Sequence, residues 1–196
     1  MDNIACNIDY MADADYIFDK RLLERLDYSK SITTVNHNIS YTHPGKDLVM
    51  RPLLCSDYEK GYMDLLSQLT QPGIVTKKMF KERFDSMKKM KDVYLIVVVE
   101  DIQMQKVVGS ATLFIENILT SQFKPIKIGR IEDVVIHDSQ RGKYLGKLLC
   151  ETLVLLGKQL KCMEITLECK DKLVKFYRSL GFELDKMHKY MTLRYT

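Results

Sequence analysis

Between residues 129 and 147 the chain reads Gly129-Arg130-Ile131-Glu132-Asp133-Val134-Val135-Ile136, then His137-Asp138-Ser139-Gln140, then Arg141-Gly142-Lys143-Tyr144-Leu145-Gly146-Lys147. An apolar strand pattern feeds a short polar turn, and a glycine among cations opens a long helical pattern. The first N–H groups of a helix have no intrahelical partner and carry a partial positive charge, so such a start attracts phosphate. Gly142 lets backbone approach a ligand closely, and Arg141, Lys143 and Lys147 add charge. A well-capped surface helix with scattered, solvated cations would carry the same residues. The stretch by itself leaves both readings open.

Glu132 and Asp133 form an acidic pair inside an otherwise apolar run. Alternation along a strand sends neighbours to opposite faces, so at least one carboxylate is expected to turn toward an interior or a cleft. Buried carboxylates are costly unless paired, and the cationic amine and hydroxyls of an amino sugar would satisfy them. An edge strand facing water is the alternative. Metal chemistry finds no support in the spacing, because His37, His43, His137 and His188 are scattered without an H-E-x-x-H or similar pattern. The cysteines, Cys6, Cys55, Cys150, Cys162 and Cys169, are odd in number and lack a C-x-x-C pair, which argues against a disulfide framework and a structural zinc site. No Ser or Cys nucleophile has an evident His partner, so no covalent enzyme intermediate is expected.

These groups need a scaffold, and hydrophobic patterning supplies a regular one after residue 46. Strands are expected over 48–54, 93–100, 106–115, 130–136, 163–168 and 182–195. One helix should open at a capping box of Ser56 and Glu59 and stop before Pro72-Gly73. Thr76 can cap a second, with Met79, Phe80, Phe84 and Met87 inward and Lys77, Lys78 and Lys81 in water. A third spans 141–160 with Leu145, Leu148, Leu149, Thr152, Leu156 and Leu160 on one stripe, and a fourth spans 171–180, ended by Gly181. Residues 116–129 read as a loop. The order implies an α/β domain of the α+β type, with a central, mostly antiparallel sheet flanked by helices. Residues 1–46 are acidic at first, then rich in Ser, Thr and Asn, and end in the turn signal Thr42-His43-Pro44-Gly45. They are expected to form a partly ordered arm on a domain of residues 47–196.

The 196 residues suit one domain plus that arm, and with 46% apolar and 29% charged residues they supply both a core and a soluble surface. The longest apolar run, over 95–99, falls far short of the roughly 18–20 residues that cross a bilayer. The first 19 residues carry five Asp and no Lys or Arg, unlike a transit peptide, and no apolar stretch follows the start. A net charge of +4 without aromatic-basic interleaving argues against a nucleic-acid surface. The composition leads us to expect a cytoplasmic protein with no membrane span and no nucleic-acid partner.

Arg141-Gly142-Lys143-Tyr144-Leu145-Gly146-Lys147 after Val134-Val135-Ile136 resembles the acetyl-CoA pyrophosphate loop of the GNAT superfamily of N-acetyltransferases. That loop reads Arg or Gln, two residues, Gly, one residue, then Gly or Ala; Arg141 and Gly146 match, and Tyr144 stands for the first glycine. Within the superfamily the chain is similar to the glucosamine-6-phosphate N-acetyltransferases. The likeness runs through Leu69-Thr70, Ile131-Glu132-Asp133-Val134-Val135, Leu145-Gly146-Lys147-Leu148-Leu149, Thr166-Leu167-Glu168-Cys169, and Phe176-Tyr177 ahead of Gly181-Phe182. With Thr42-His43-Pro44-Gly45 it spans residues 27–196.

The resemblance implies transfer of acetyl from acetyl-CoA to the 2-amine of glucosamine 6-phosphate, toward UDP-N-acetylglucosamine, by direct attack in a ternary complex without a metal. By position Val134, Val135 and Ile136 would hydrogen-bond the pantetheine like an added strand. Arg141 and the backbone of Gly142, Lys143, Tyr144, Leu145, Gly146 and Lys147 would cradle the pyrophosphate. Tyr177 would stabilise the departing thiolate and Glu168 would lie at the cleft. Thr70, Glu132, Asp133, Val134 and Arg194 match acceptor positions, Arg194 as a phosphate partner; on the residues alone, Tyr177 reads as a core aromatic and Arg194 as an exposed cation. The family pairs through its C-terminal strand, which implies a homodimer. Departures sit on the acceptor side. Asn117-Ile118-Leu119-Thr120-Ser121 replaces a Lys-aromatic-Ile-His run, with Lys124 or Lys127 as substitutes for its cation. Met163-Glu164 replaces Tyr-Lys, and Leu173 replaces Asn. These leave a CoA-binding paralogue, with another acceptor or no catalysis, as the alternative.

Overall fold

Leu95, Ile96, Val97, Val98 and Val99 are all buried. Neighbours on a strand face opposite sides, so the sheet that holds them is covered on both faces. They lie within β2 (Tyr94–Asp101) of a computed structural model that describes residues 15–69, 73–119, 125–188, 190–193 and 195, with Ile32 described by its backbone alone. The other strands are β1 (Leu48–Pro52), β3 (Lys106–Leu119), β4 (Pro125–Ile136) and β5 (Glu164–Leu167), and the spatial order is β1-β2-β3-β4-β5. The first three pairings are antiparallel and β4–β5 is parallel. The helices are α1 (Arg21–Glu24), α2 (Ile32–His37), α3 (Tyr62–Leu66), α4 (Lys77–Lys89), α5 (Leu145–Gln159) and α6 (Val174–Arg178). A parallel pair needs a long crossover, and α5 lies in it.

Adjacent residues of β3 show which helices cover which face. Leu113 reaches toward Gly157 of α5, whereas Thr112 lines the space beneath α3 and α4. The α5 stripe Leu145, Leu148, Leu149, Leu153 and Leu156 is buried on the first face, and Phe80 and Phe84 of α4 on the second. Thr76 caps α4 as its sequence suggests, its hydroxyl accepting from the Met79 N–H at 3.3 Å. Among the described residues no helix is long and apolar enough to cross a membrane.

Four local expectations are corrected. The helix expected from Ser56 is split by Gly61, whose φ of +75° ends a short 3-10 helix at Cys55–Tyr58 before α3 begins. Its cap is Asp57 instead of the Ser56–Glu59 pair, the Asp57 carboxylate accepting from the Leu54 N–H at 2.8 Å. Much of the expected loop over 116–129 is hairpin ladder, with Glu116 opposite Ile128 and Asn117 opposite Lys127; two strands that satisfy each other's backbone beyond the core need no apolar alternation. Among the described residues no strand forms over 182–195. A strand needs a neighbour, and this tail instead leaves Met187, Met191 and Leu193 exposed.

Residues 15–46 lie against the sheet and α5. Ile17 donates its N–H to the Leu53 carbonyl at 2.9 Å, and Ile17, Phe18 and Leu23 belong to the same buried cluster as β2 and α5.

A cluster of charged groups is sealed inside. The Arg51 guanidinium on β1 is 3% exposed and binds both oxygens of Asp57 at 2.8 and 2.7 Å. It also reaches Glu100 on β2, which takes a further bond from Lys60. Burial opposes the Glu100 charge, but the Lys60 bond and the Arg51 charge prevail and hold its carboxyl below the ordinary value. A depressed carboxyl stabilises the fold above its unfolded pKa of about 4.3, and that contribution is lost as pH falls toward the folded value. The melting temperature should therefore drop on acidification below about pH 5, and Glu100→Gln should flatten that drop while lowering the value at neutral pH. Asp57→Ala, which strands a buried guanidinium, should cost about 3–5 kcal/mol in denaturant titrations.

Candidate active site

β4 and β5 pair only from Ile128 to Ile131 against Glu164 to Leu167. β4 then continues to Ile136 beside β3 alone, so its other edge opens over 132–136. The parting coincides with a bulge. Register passes from Thr112 opposite Glu132 to Ser110 opposite Val135, two residues of β4 standing against Ala111. Asp133 absorbs the extra residue in a left-handed conformation, φ +52°. A bulge breaks the period of two and re-aims side chains. Glu132 and Asp133, expected on opposite faces, accordingly line one cavity.

That cavity, of about 790 Å³, lies beneath α3 and α4, with Tyr62, Thr112 and Arg83 also on its wall. Burial, then the neighbouring Glu132 charge, push the Asp133 carboxyl above its ordinary value. Glu132 itself pairs with Arg130 at 2.7 Å. Tyr62 is buried at the back, its oxygen 3.5 Å from the Ser110 hydroxyl, and burial pushes its own hydroxyl up to about 12.

The other side of the opening holds a cavity of about 460 Å³, lined by Val134, Ile136, the turn from Gln140 into α5, Leu173, Phe176 and Tyr177. The turn residues Arg141, Gly142, Tyr144, Leu145, Gly146 and Lys147 all face it. Gly142 has φ +79° and Tyr144 φ +62°. No side chain caps the start of α5, and no atom lies within 4 Å of where a Cβ on Gly142 would stand. Free helix N–H groups behind a left-handed turn make a concavity suited to a phosphate. Arg141 braces this turn, bonding Asp138 at 2.7 Å, Gln68 at 3.3 Å and the Ile136 carbonyl at 3.3 Å. Lys143 bonds Gln140 at 2.8 Å.

Tyr177 on α6 is buried, edge-on to Phe176 and Phe182 at 5.0 and 6.1 Å between centroids. Burial first, then nearby Cys150 and Cys169, push its hydroxyl well above the usual phenol value, so it is protonated at neutral pH. Consecutive residues of β4 thus line the two cavities, Asp133 the one with the carboxylates and Val134 the one with the phenol and the helix start.

Several expected site residues fall elsewhere, and Lys143, held by Gln140, lines neither cavity. Val135 is buried opposite Ser110 and lines neither cavity, because the bulge returns its side chain to the core. Glu168 is exposed one residue beyond β5, a strand too short to carry it into the opening, and lines neither cavity. Val134 faces the α5 side only. Lys127 lies in the β3–β4 hairpin, opposite Asn117 and away from both cavities. Thr70, Lys124 and Arg194 lie outside the described residues. Sequence reasoning passed over Tyr62, Thr112 and Arg83. Arg83 had a signal, since it lies three residues after Phe80 and four before Met87 on the inward side of α4. Among the described residues no three His, Cys, Asp or Glu side chains gather as a metal site would need.

A mixed sheet parted beside a helix start, with an uncapped turn in the gap, defines the class. Residues 58–182 match the acetyltransferase (GNAT) family, and the chain belongs to that family. It is 40% identical over 187 residues to a Drosophila melanogaster protein named probable glucosamine 6-phosphate N-acetyltransferase, covering 94% of this chain and 84% of that one. It is 39% identical over 133 residues to glucosamine 6-phosphate N-acetyltransferase 1 of Dictyostelium discoideum, covering 68% and 83%. The crystal structure of glucosamine-6-phosphate N-acetyltransferase from Arabidopsis thaliana superposes with a TM-score of 0.69 at 31% identity, over 75% of this chain and 99% of that one.

A β-branched residue resists the left-handed region that Gly142 occupies. Gly142→Val should therefore leave the fold intact, because the space beside it is open, yet weaken CoA binding by about tenfold or more through distortion of the turn. Calorimetry on the folded variant checks this, and unchanged binding would remove the turn from the donor site.

Proposed function

We propose that the chain transfers the acetyl group of acetyl-CoA to the 2-amine of glucosamine 6-phosphate. The bulge at Asp133 carries this reading, since it sets an acidic cavity that also holds Arg83 against a cavity built from an uncapped helix start and Tyr177. The names of the relatives supply the acceptor. In this reading the acetyltransferase domain is residues 47–196 with 1–46 as its arm, and the product leads toward UDP-N-acetylglucosamine in the cytoplasm.

Acetyl-CoA brings the activated thioester. The N–H groups of the turn at 142–147, with Lys147, hold its pyrophosphate, and the free edge of β4 at Val134 runs along the pantetheine. The acceptor arrives as an ammonium ion and must lose a proton before it can attack. Asp133, with its raised carboxyl, takes that proton while Glu132 helps to hold the sugar. Arg83 faces the 6-phosphate, which suits a guanidinium. The nitrogen lone pair forms the C–N bond, the C–S bond breaks, and the Tyr177 hydroxyl gives its proton to the departing thiolate. The second amine proton restores the phenol through solvent. Ammonium and thioester thus yield amide, thiol and one released proton. A phenol kept protonated by burial is matched to the donor role and not to that of a base.

A thiol-release assay should show turnover with glucosamine 6-phosphate well above that with glucosamine, and no turnover with either would overturn the proposal. In the same assay Tyr177→Phe should lower kcat by about 10²–10⁴-fold with acetyl-CoA affinity nearly intact. If the residue only packs, the melting temperature falls instead and turnover per folded molecule survives.

The exposed tail is the basis for a second proposal, that two copies associate through residues 182–195. Met187, Met191 and Leu193 are 85%, 88% and 78% exposed, and a second copy would give this stretch the strand neighbour it lacks. Sedimentation at micromolar protein should give the mass of a dimer; a monomer would count against the pairing.

A further inference from the structure

The arm follows α5 from its last turn to its first. Gln159 donates to the Leu22 carbonyl at 3.4 Å. Further along, the Tyr28 hydroxyl bonds Thr152 Oγ1 at 2.8 Å. The Glu151 carboxylate then accepts from the Ser31 hydroxyl at 2.5 Å and the Thr33 N–H at 3.2 Å, an acid at the start of α2 where the helix favours one. Asn38, left-handed at φ +53°, stops α2 immediately after His37. The His37 ring lies flat on Tyr144, centroids 3.4 Å apart and planes 13° from parallel. The arm therefore ends on the residue that opens α5.

Tyr144 needs a contact of this kind. Its left-handed backbone is unfavourable for any residue with a Cβ, and α5 has no side-chain cap that would fix its start. Tyr144 also lines the α5-side cavity, whereas His37 does not. A turn that finds this geometry only part of the time binds its ligand more weakly by that fraction. A ring clamped over Tyr144 raises the fraction without meeting the ligand.

We propose that His37 is a positioning residue for acetyl-CoA, holding the turn at 142–147 in its binding shape by stacking on Tyr144. The arm is thereby part of the donor site at one remove. This inference rests on the donor-site reading given above, and the experiment separates the two.

The test is calorimetry of the full chain with acetyl-CoA and with CoA. His37→Ala should raise Kd by about three- to tenfold, the range of one aromatic stack, and raise the acetyl-CoA KM alike. It should leave kcat at saturation unchanged and lower the melting temperature by no more than a few degrees, because the ring is a single half-buried contact of a well-anchored arm. His37→Phe keeps a flat ring and should restore the affinity. In a Tyr144→Gly background, where glycine takes the left-handed conformation freely, His37→Ala should have no further effect. Equal Kd for wild type and His37→Ala overturns the role of His37 and leaves the donor site standing. So does failure of Phe to rescue, or a loss that falls on kcat and melting temperature together. A wild-type protein that binds neither acetyl-CoA nor CoA removes the donor site and this inference with it.

Discussion

The end of the β4–β5 ladder at Ile131 governs where everything functional can stand. β4 and β5 are the one parallel pair in the described sheet, and the chain enters α5 from the end of β4 and α6 from the end of β5. Parallel strands finish on the same side, so both helix starts are delivered to the same gap, the arrangement in which open α/β sheets take ligands. The bulge at Asp133 bends β4 away just as β5 stops. A continued ladder would close the gap, and the start of α5, the free β4 edge and Tyr177 would have no common space to line.

Two of the left-handed residues other than glycine flank this gap. Asp133 at φ +52° and Tyr144 at φ +62° stand on its two sides. Such residues persist only where their surroundings over-determine them. For Asp133 the surroundings are the β3 ladder on either side of the bulge, and for Tyr144 they include the His37 ring. The β1 edge of the sheet is held by buried charge. There Arg51 ties β1 to β2 and to the turn at Asp57 through buried, charge-assisted bonds, at a place where no ligand need enter.

Periodic features could be read from the sequence because burial writes its period into the residues. The run over 95–99, the α5 stripe and the Thr76 cap all carry such marks. The bulge does not. Glu132-Asp133 sits in a run that looks regular, and one inserted residue turns a correct rule about alternation into a wrong placement. Gly61 breaks a helix whose apolar spacing continues across it. The arm was legible only as different in composition, since its buried apolar residues, Tyr16, Ile17 and Phe18 in a row and then Leu23, show no helical period. Resemblance grouped Tyr177 with the turn, and the two line one cavity, but it also carried over Val135, Lys143 and Glu168, which line neither cavity. For 182–195 the apolar pattern is real but no strand forms among the described residues, and a rule about local pattern had no means of deciding.

In the proposed reaction one physical cause yields two opposite chemical roles. Burial raises both Asp133 and Tyr177. A carboxyl raised toward neutral pH is a better acceptor for an ammonium proton, while a phenol raised further above it keeps the proton it has to give. Asp133 lines the cavity beneath α3 and α4 and Tyr177 the cavity beside α5, so each proton transfer has its own surroundings. Proton removal from the amine and proton delivery to the thiolate are thereby kept apart by the β4 backbone. In that reading the acetyl group crosses at the bulge, where Asp133 lines one cavity and the next residue, Val134, lines the other.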